Sequence, residues 1–250
     1  MGAAYLLINN NNSRTKFALS GKGCLLETRA VSETASLDRK SLEEATAGWD
    51  YEKVVLASVV PRKAELIRQV WSGFPFLEVT HRLKLGVDLD FPDPSTIGAD
   101  RLANAAAIVA QSGEVPCIVV DFGTAVTFDV ISAAQAYVGG IIAPGLNVMT
   151  DYMHERTALL PKIEIEEPTE LIGKSTRSAM LSGAVHGYRG LIKEILSELE
   201  RELTGGKRHV RTVATGGYAR LLSAKIPAID AVFPDLTLDG IRIIANLNFK

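Results

Sequence analysis

The residues best suited to chemistry lie in a stretch that reads VVDFGTAVTFD from Val119 to Asp129. An apolar run ends at Asp121, and the small residues Gly123, Thr124 and Ala125 follow it. Such residues leave backbone N–H groups open to phosphate oxygens, and a carboxylate beside them suits the cation that accompanies a phosphate. The stretch therefore predicts a site for a phosphate and its cation. An ordinary β-hairpin with an acid near its turn explains the same residues equally well.

A second group of candidates, Gly98-Ala99-Asp100-Arg101, precedes an alanine-rich segment that predicts a helix over residues 102–111. The start of a helix favours an anion, and Arg101 can hold a carboxylate with two hydrogen bonds. Asp100 can accept a proton from a hydroxyl group during phosphoryl transfer. The same four residues also fit a simple helix cap with an arginine on the surface.

A third group, Thr215-Gly216-Gly217, follows a predicted buried strand over residues 210–214. Glycine lets the backbone approach a nucleotide base or ribose closely, so these residues are candidates for nucleotide contact. A tight turn between a strand and a helix accounts for them as well. Gly139-Gly140 and Pro144-Gly145 mark further bends with the same two interpretations.

The elements that must position these residues form a pattern that occurs twice. In the first half, strands are predicted over residues 5–8, 15–19 and 25–31, and in the second half over 115–120, 125–131 and 136–142, with a turn at 121–124. Helices follow each set. A long helix over residues 175–203 is predicted to end at Gly205-Gly206, as helices capped by glycine do.

Two short stretches of the first half align with two of the second. Residues 8–11 match residues 120–123, and residues 15–19 match 126–130, with one extra residue in the first turn. We therefore predict an α/β fold made of duplicated domains with a cleft between them, the first over residues 1–113 and the second over 114–250. Paired turns facing one cleft suit the two ends of a triphosphate.

The composition narrows the class of protein. The chain has 250 residues, is 47% hydrophobic and carries a formal net charge of −2, so no general affinity for nucleic acid is indicated. No apolar run is long enough to span a membrane. Two cysteines far apart favour free thiols in a reducing compartment. We expect a cytoplasmic protein without a nucleic-acid or membrane partner.

Taken together, these stretches resemble the type III pantothenate kinases along nearly the whole chain. The similar motifs are Ala57-Ser58-Val59-Val60-Pro61, Phe91-Pro92-Asp93-Pro94, Gly98-Ala99-Asp100-Arg101, Asp121-Phe122-Gly123-Thr124-Ala125, residues 139–145, residues 157–161, Gly173-Lys174-Ser175-Thr176, Thr215-Gly216-Gly217 and residues 236–240. Each motif alone is weak, but their order and spacing together make the resemblance strong.

The resemblance implies duplicated ribonuclease H-like domains of the actin-like ATPase class, working as a homodimer. It implies ATP-dependent phosphorylation of pantothenate to 4'-phosphopantothenate, the first step of coenzyme A biosynthesis. The implied cofactors are Mg²⁺ with ATP and a monovalent cation, K⁺ or NH₄⁺.

The resemblance also assigns roles to residues. Asp100 is the implied general base, and Asp121 is the implied ligand of the monovalent cation. The implied pantothenate site consists of Phe91, Gly98, Ala99, Asp100, Arg101 and Thr176. The implied ATP site consists of Asn9, Asn10, Asn11, Asn12, Ser13, Arg14, Thr15, Lys16 and Thr124.

The first phosphate loop departs from the family's Asp-x-Gly-Asn-Thr/Ser pattern. Here it reads Asn9-Asn10-Asn11-Asn12-Ser13, so the acid and the glycine are both replaced. A neutral side chain at position 9 brings no negative charge to a cluster of metal and phosphate. Phe91 also replaces the family's usual tyrosine. These changes leave a second hypothesis open, a catalytically impaired or silent relative that binds a ligand or partner protein.

Overall fold

The computed structural model describes residues 3–112, 116–206 and 210–249. Contacts divide the chain into a first unit, Met1–Gly113 with Gln135–Val138 and Asp235–Lys250, and a second unit, Glu114–Ala134 with Gly139–Pro234. The expected boundary falls at residues 113 and 114, which lie outside the described residues. The division differs from a single cut there, because residues 135–138 and the C-terminal helix belong to the first unit.

The elements of the first unit are β1 (Ala3–Asn10), β2 (Arg14–Ser20), β3 (Leu25–Glu33), α1 (Arg39–Ala45), β4 (Tyr51–Ser58), α2 (Pro61–Val70), β5 (Phe76–Glu78), β6 (Asp88–Leu89), a 3₁₀ turn (Pro94–Thr96), α3 (Ala99–Ser112) and α7 (Leu236–Asn248). Five of the strands form a sheet in the order β3-β2-β1-β4-β5. Strands β1 to β3 are antiparallel neighbours, whereas β4 and β5 run parallel to β1.

The second unit contains β7 (Cys117–Phe122), β8 (Ala125–Ile131), β9 (Ala136–Pro144), α4 (Leu146–Arg156), α5 (Thr176–Thr204), β10 (Arg211–Gly216), α6 (Ala219–Ser223) and β11 (Ala231–Val232). The first residues of β9 belong to the first unit, where they pair with β6. The sheet order is β11-β10-β7-β8-β9, and β10 runs parallel to β7.

The duplication predicted from the sequence is present in the strand order. If the strands of each unit are numbered from its own first strand, both sheets read 3-2-1-4-5. The register agrees too, because Asn9 pairs with Lys16 and Asp121 pairs with Thr127. Those pairs are the ones that the alignment of the two halves predicts. Both units are therefore ribonuclease H-like α/β domains.

Each unit has its own apolar core. The first is formed by the inward faces of β1, β2 and β4 with α1 and α2, and the second by β7, β8 and β10 with α5. The C-terminal helix α7 packs on α3 so closely that a Cβ atom on Gly240 would lie 1.8 Å from the carbonyl oxygen of Ala103. Only glycine fits at this position. It allows α7 to pack closely on α3, and this packing makes α7 part of the first unit.

Two predicted elements differ from the structure in ways that matter for the site. Helix α3 begins at Ala99 rather than at residue 102, so Asp100 and Arg101 lie in its first turn. Strand β7 continues to Phe122, so Asp121 lies in the strand rather than in the turn. Residue 115, where this strand was expected to begin, lies outside the described residues. The glycine cap of the long helix is confirmed, since Gly205 has a φ of 62°.

Across the three described segments, no helix is both long and apolar enough to cross a membrane.

Candidate functional site

The loop between β1 and β2 is held by a chain of buried polar side chains. Asn10 donates from Nδ2 to Thr15 Oγ1 at 2.7 Å and accepts at Oδ1 from Ser58 Oγ at 2.7 Å. Thr15 Oγ1 lies 2.9 Å from Thr34 Oγ1, and Thr34 donates to the carbonyl oxygen of Asn11 at 2.6 Å. Each buried polar group is thereby satisfied, which fixes the loop backbone. Sequence reasoning did not identify Thr34, because no local pattern links it to this loop.

The neighbouring asparagines are arranged differently. Asn9 is only 3% exposed, yet its Oδ1 has no hydrogen-bond partner among the residues that the structure describes. The same holds for Oδ1 of Asn11. A buried carbonyl oxygen without a partner costs on the order of 1–3 kcal/mol, so these two atoms suit an external donor or cation. Lys16 pairs with Asn9 across the two strands, which places both side chains on one face.

Asp100 is placed in the first turn of α3, and Gly98 leaves room for it. A Cβ atom at position 98 would lie 2.6 Å from Asp100 Oδ1. The same oxygen accepts a hydrogen bond from the backbone N–H of Arg101 at 2.9 Å. Glycine at position 98 thus leaves the space in which the carboxylate folds back over its own turn.

Val59 connects this turn to the first loop within the same unit. Its N–H donates to the carbonyl oxygen of Asn10 at 3.1 Å. Its Cγ1 lies 3.4 Å from the position that a Cβ on Gly98 would take. The structure therefore brings the candidate phosphate loop and the candidate base together around one apolar residue.

The surroundings of Asp100 change its acidity. Burial raises the pKa of the Asp100 carboxyl above its ordinary value, while the N–H and the charge of Arg101 oppose that rise. The net effect is to raise the pKa, which brings it closer to the operating pH, where a general base works best. Its ionised form is correspondingly disfavoured in the folded protein.

Phe91 lies in a small aromatic cluster. Its ring meets the ring of Tyr137 edge-on, with centroids 6.0 Å apart and planes at 64°. The guanidinium carbon of Arg101 lies 5.7 Å from the centroid of the same tyrosine ring. Sequence reasoning treated Tyr137 only as part of a strand, although it is fully buried between two candidate substrate residues.

We predict that Gly98→Ala lowers kcat by roughly 10²-fold while the protein remains folded, because an ångström of displacement at a reacting group commonly costs that much. The added Cβ clashes with the end of a flexible side chain, so the carboxylate moves and the backbone need not. Steady-state kinetics and thermal denaturation measure the two effects.

Gly187→Ala in α5 is the matched control, since a Cβ there would meet nothing within 4 Å. It should keep full activity and gain about 1 kcal/mol of stability. Equal losses of activity in both variants would contradict the role of Gly98.

In the second unit, Asp121 and the turn that follows it are enclosed by two glycines. A Cβ on Gly216 would lie 2.6 Å from Asp121 Oδ1 and 2.6 Å from the carbonyl oxygen of Phe122. A Cβ on Gly145 would lie 2.2 Å from the carbonyl oxygen of Thr124, to which the N–H of Gly145 donates at 3.0 Å. The glycines noted as bends in the sequence thus pack directly against the candidate cation and phosphate turn, and Thr124 itself is exposed.

Thr176 is the first residue of the 29-residue helix α5. Ser175 caps this helix by accepting from the N–H of Ser178 at 3.1 Å. Gly173 lies so close to the helix that a Cβ would be 2.2 Å from the nitrogen of Ala179. Beside this helix start is a cavity of about 920 Å³ with an apolar wall, formed by Met149, Met153, Leu160 and Met180.

Ion pairs hold the segment that precedes Thr176 at Glu167. Arg189 is 3% exposed and makes two hydrogen bonds to Glu167, at 3.0 and 2.6 Å. Lys225 also donates to Glu167, at 2.6 Å. Hydrogen bonds from Arg189 and then Lys225 lower the pKa of Glu167 from 4.5 to about 2.

Because the pKa of Glu167 is lower in the folded state, its contribution to stability is present above about pH 4.5 and is lost between about pH 4.5 and pH 2. We predict that Glu167→Gln lowers the free energy of unfolding at pH 7 by about 1 kcal/mol, a value discounted for the partial exposure of this side chain. The difference from the parent protein should shrink as the pH falls below about 4.5 and should vanish only near pH 2. Urea denaturation at pH 7, pH 3 and pH 2 tests this, and a loss that does not depend on pH would contradict it.

The described residues limit how a metal can be held. They contain no group of three or more His, Cys, Asp or Glu side chains able to bind a metal ion. Mg²⁺ in kinases is usually held by one or two protein ligands together with substrate phosphates. The unpartnered Oδ1 of Asn9 fits one such oxygen ligand, and Asp121 with nearby carbonyl oxygens fits a hard monovalent cation.

Comparison with known proteins identifies the family. Residues 5–198 match the sequence profile of the type III pantothenate kinases. The chain belongs to the type III pantothenate kinase family. A member from Akkermansia muciniphila is 52% identical over 98% of this chain and 99% of its own length. Another, from Methylacidiphilum infernorum, is 40% identical over 98% of this chain and 89% of its own length.

The fold is shared more widely. A solved structure of a candidate 2-dehydro-3-deoxygalactonokinase from Sinorhizobium meliloti superimposes with a TM-score of 0.61, at 13% identity, over 98% of this chain and 99% of that chain. At this identity the likeness concerns the fold alone. It agrees with the duplicated ribonuclease H-like domains that the sequence predicts.

The predicted site residues fall into two sets. The first unit holds residues 9–16, Phe91 and residues 98–101, which are linked through Val59 and Tyr137. The second unit holds Asp121, Thr124 and Thr176. The structure adds Thr34, Tyr137, Gly145 and Gly216 as residues that position these side chains.

Proposed function

We propose that the protein transfers the terminal phosphoryl group of ATP to the hydroxyl of pantothenate, giving 4'-phosphopantothenate at the start of coenzyme A biosynthesis. Membership of the type III pantothenate kinase family supports this. The observation that carries the assignment of roles is the placement of the Asp100 carboxylate over Gly98 in the first turn of α3. Asp100 accepts the hydroxyl proton, and Arg101 holds the carboxylate of pantothenate.

The nucleotide is assigned to residues 9–16 and Thr124. Backbone N–H groups of the first loop bind phosphate oxygens, and its buried polar chain keeps them in place. Bound Mg²⁺ would neutralise charge that develops on the transferred phosphoryl group. Asn9 offers an amide oxygen to that ion, and Asp121 binds K⁺ or NH₄⁺.

The working unit is proposed to be a homodimer in the cytoplasm. The second unit leaves several large apolar side chains exposed, among them Leu159 at 88%, Ile172 at 80% and Ile142 at 62%. Covering these side chains with another protein surface would remove apolar area from water, which favours association. Light scattering of the purified protein gives the oligomeric state directly. The reducing cytoplasm agrees with Cys24 and Cys117, neither of which forms a disulfide.

The decisive experiment is a coupled assay of ADP release with pantothenate, ATP, Mg²⁺ and K⁺. Turnover that requires pantothenate supports the proposal, and its dependence on K⁺ or NH₄⁺ tests the role of Asp121. A well-folded protein without pantothenate-dependent turnover would instead support a silent relative. A panel of other small hydroxyl compounds separates that outcome from a kinase with a different substrate.

A further inference from the structure

We infer that Tyr137 is a positioning residue that sets the affinity for the carboxylate of the substrate by holding the guanidinium of Arg101. This inference rests on the proposed function. Tyr137 is fully buried, and Arg101 lies over its ring with the guanidinium carbon 5.7 Å from the centroid. Phe91 packs edge-on against the same ring.

The backbone places the tyrosine ring in a fixed relation to the substrate loop. Tyr137 pairs with Leu89 in the parallel contact between β6 and β9. The N–H of Asp90 donates to the carbonyl oxygen of Tyr137 at 3.0 Å. Phe91 follows at once, so one short stretch of sheet sets the positions of both rings. The ring that contacts Arg101 therefore has little freedom to move.

A cation over the face of an aromatic ring is attracted by the negative charge density of that face. An arginine side chain has many conformations, and restricting them when a ligand arrives costs binding free energy. The contact with the Tyr137 ring restricts the guanidinium before the substrate binds. The planar fork of arginine then meets a carboxylate with two parallel hydrogen bonds.

Loss of this contact should affect substrate binding more than catalysis. A loosened Arg101 weakens the grip on the carboxylate but leaves proton transfer at Asp100 in place, so KM changes more than kcat. A substrate without the carboxylate is unaffected. The charge of Arg101 also lowers the pKa of Asp100, so a displaced guanidinium moves the acid limb of the pH profile upward.

The test compares Tyr137→Phe, which keeps the ring, with Tyr137→Leu and Tyr137→Met, which remove it and fill the space differently. The substrates are pantothenate and pantothenyl alcohol, in which a hydroxymethyl group replaces the carboxylate. We expect the ring-free variants to raise KM for pantothenate by about 5- to 30-fold, the range for partly to fully desolvated cation–π contacts. Their kcat and their KM for the alcohol should stay near the parent values. Tyr137→Phe, which keeps the ring, should retain most of the parent's affinity for pantothenate.

Two controls separate positioning from packing. Tyr5→Leu also removes a fully buried tyrosine ring from the first unit, and it should lower stability without changing KM. In an Arg101→Gln background, Tyr137→Met should have no further effect on KM, because the two changes act through one contact.

An equal rise in KM for both substrates, or an unchanged KM in a folded Tyr137→Met protein, would overturn the inference while leaving the kinase activity intact. Additive effects of Tyr137→Met and Arg101→Gln would overturn it as well. A parent protein that neither binds pantothenate in calorimetry nor phosphorylates it would refute the proposed function, and this inference with it.

Discussion

Asp100→Asn is expected to reduce kcat by about 10²–10⁴-fold, the range for loss of a general base. Asparagine has nearly the same shape, and its amide oxygen can still accept from the N–H of Arg101. The change therefore removes basicity and little else. Binding of pantothenate and of ATP should persist in calorimetry.

The same substitution should leave stability unchanged or raise it. Burial raises the pKa of Asp100 in the folded protein, so its ionised form opposes folding at every pH above the unfolded-state pKa. A neutral amide removes that cost. Thermal denaturation at pH 7 checks this sign, and a variant that loses activity together with its fold would not support a catalytic role.

The pH profile gives an independent measurement. In the parent protein, kcat/KM should fall with decreasing pH through a pKa above the usual value of about 3.9 for aspartate. The Arg101→Gln variant should shift this acid limb further upward, because the charge of Arg101 opposes the rise. An acid limb that moves downward in this variant would contradict the assignment of the limb to Asp100.

Asn9→Asp is expected to raise kcat, by up to the 10²–10³-fold that one preorganised electrostatic group commonly contributes. The Oδ1 atom of Asn9 is buried and has no hydrogen-bond partner in the described part of the chain. A carboxylate there would bring negative charge to the ion that accompanies the phosphates. Adding Asn11→Gly should extend the gain by relieving the loop of a second unpartnered side chain.

The gain should depend on the divalent cation. Without Mg²⁺, a buried carboxylate at position 9 should lower the free energy of unfolding by more than the roughly 1–3 kcal/mol that an unpartnered neutral group costs, and Mg²⁺ with a nucleotide should restore it. Thermal shift measurements with and without the ion test this apart from catalysis. Asn9→Leu is the matched control, since it keeps the volume but removes the oxygen and should weaken binding of the Mg²⁺–nucleotide complex.

Three outcomes separate the hypotheses for this loop. A large gain from Asn9→Asp indicates a kinase site weakened by its asparagines. High parent activity that the substitution does not change shows that no charge is needed at position 9 and excludes a silent protein. If neither the parent protein nor Asn9→Asp shows pantothenate-dependent turnover, the result supports a silent relative that binds a ligand or a partner protein.

The sequence by itself determined much of the fold. Alternating apolar residues and glycine-rich turns are local signals. They predicted the repeated strands and showed which residues of the first repeat correspond to which of the second. The match of Asn9 with Asp121, and of Lys16 with Thr127, was present in the sequence before the pairing of strands was known. The motif at residues 98–101 likewise predicted the start of a helix, and α3 begins within it at Ala99.

Helix boundaries and unit membership were decided by tertiary structure. The apolar stripe of α7 predicts a helix but does not say which core it covers, and the close approach of Gly240 to Ala103 assigns it to the first unit. Helix α3 begins early because Gly98 lets the Asp100 carboxylate fold over the turn. Such contacts depend on the distances between packed atoms in the folded protein, which local sequence patterns do not encode.

The run of four asparagines illustrates this limit. In the sequence, Asn9 and Asn10 are equivalent side chains next to each other. In the fold, the side chain of Asn10 bonds to Thr15 and to the distant Ser58, whereas the side-chain Oδ1 of Asn9 meets no described donor. Adjacent residues of a strand point to opposite faces, and only the pairing with β2 and β4 decides which face supplies partners. The sequence determined that this loop is the counterpart of the Asp121 turn, and the tertiary structure decided which asparagine supports the loop and which has a side-chain oxygen without a described donor.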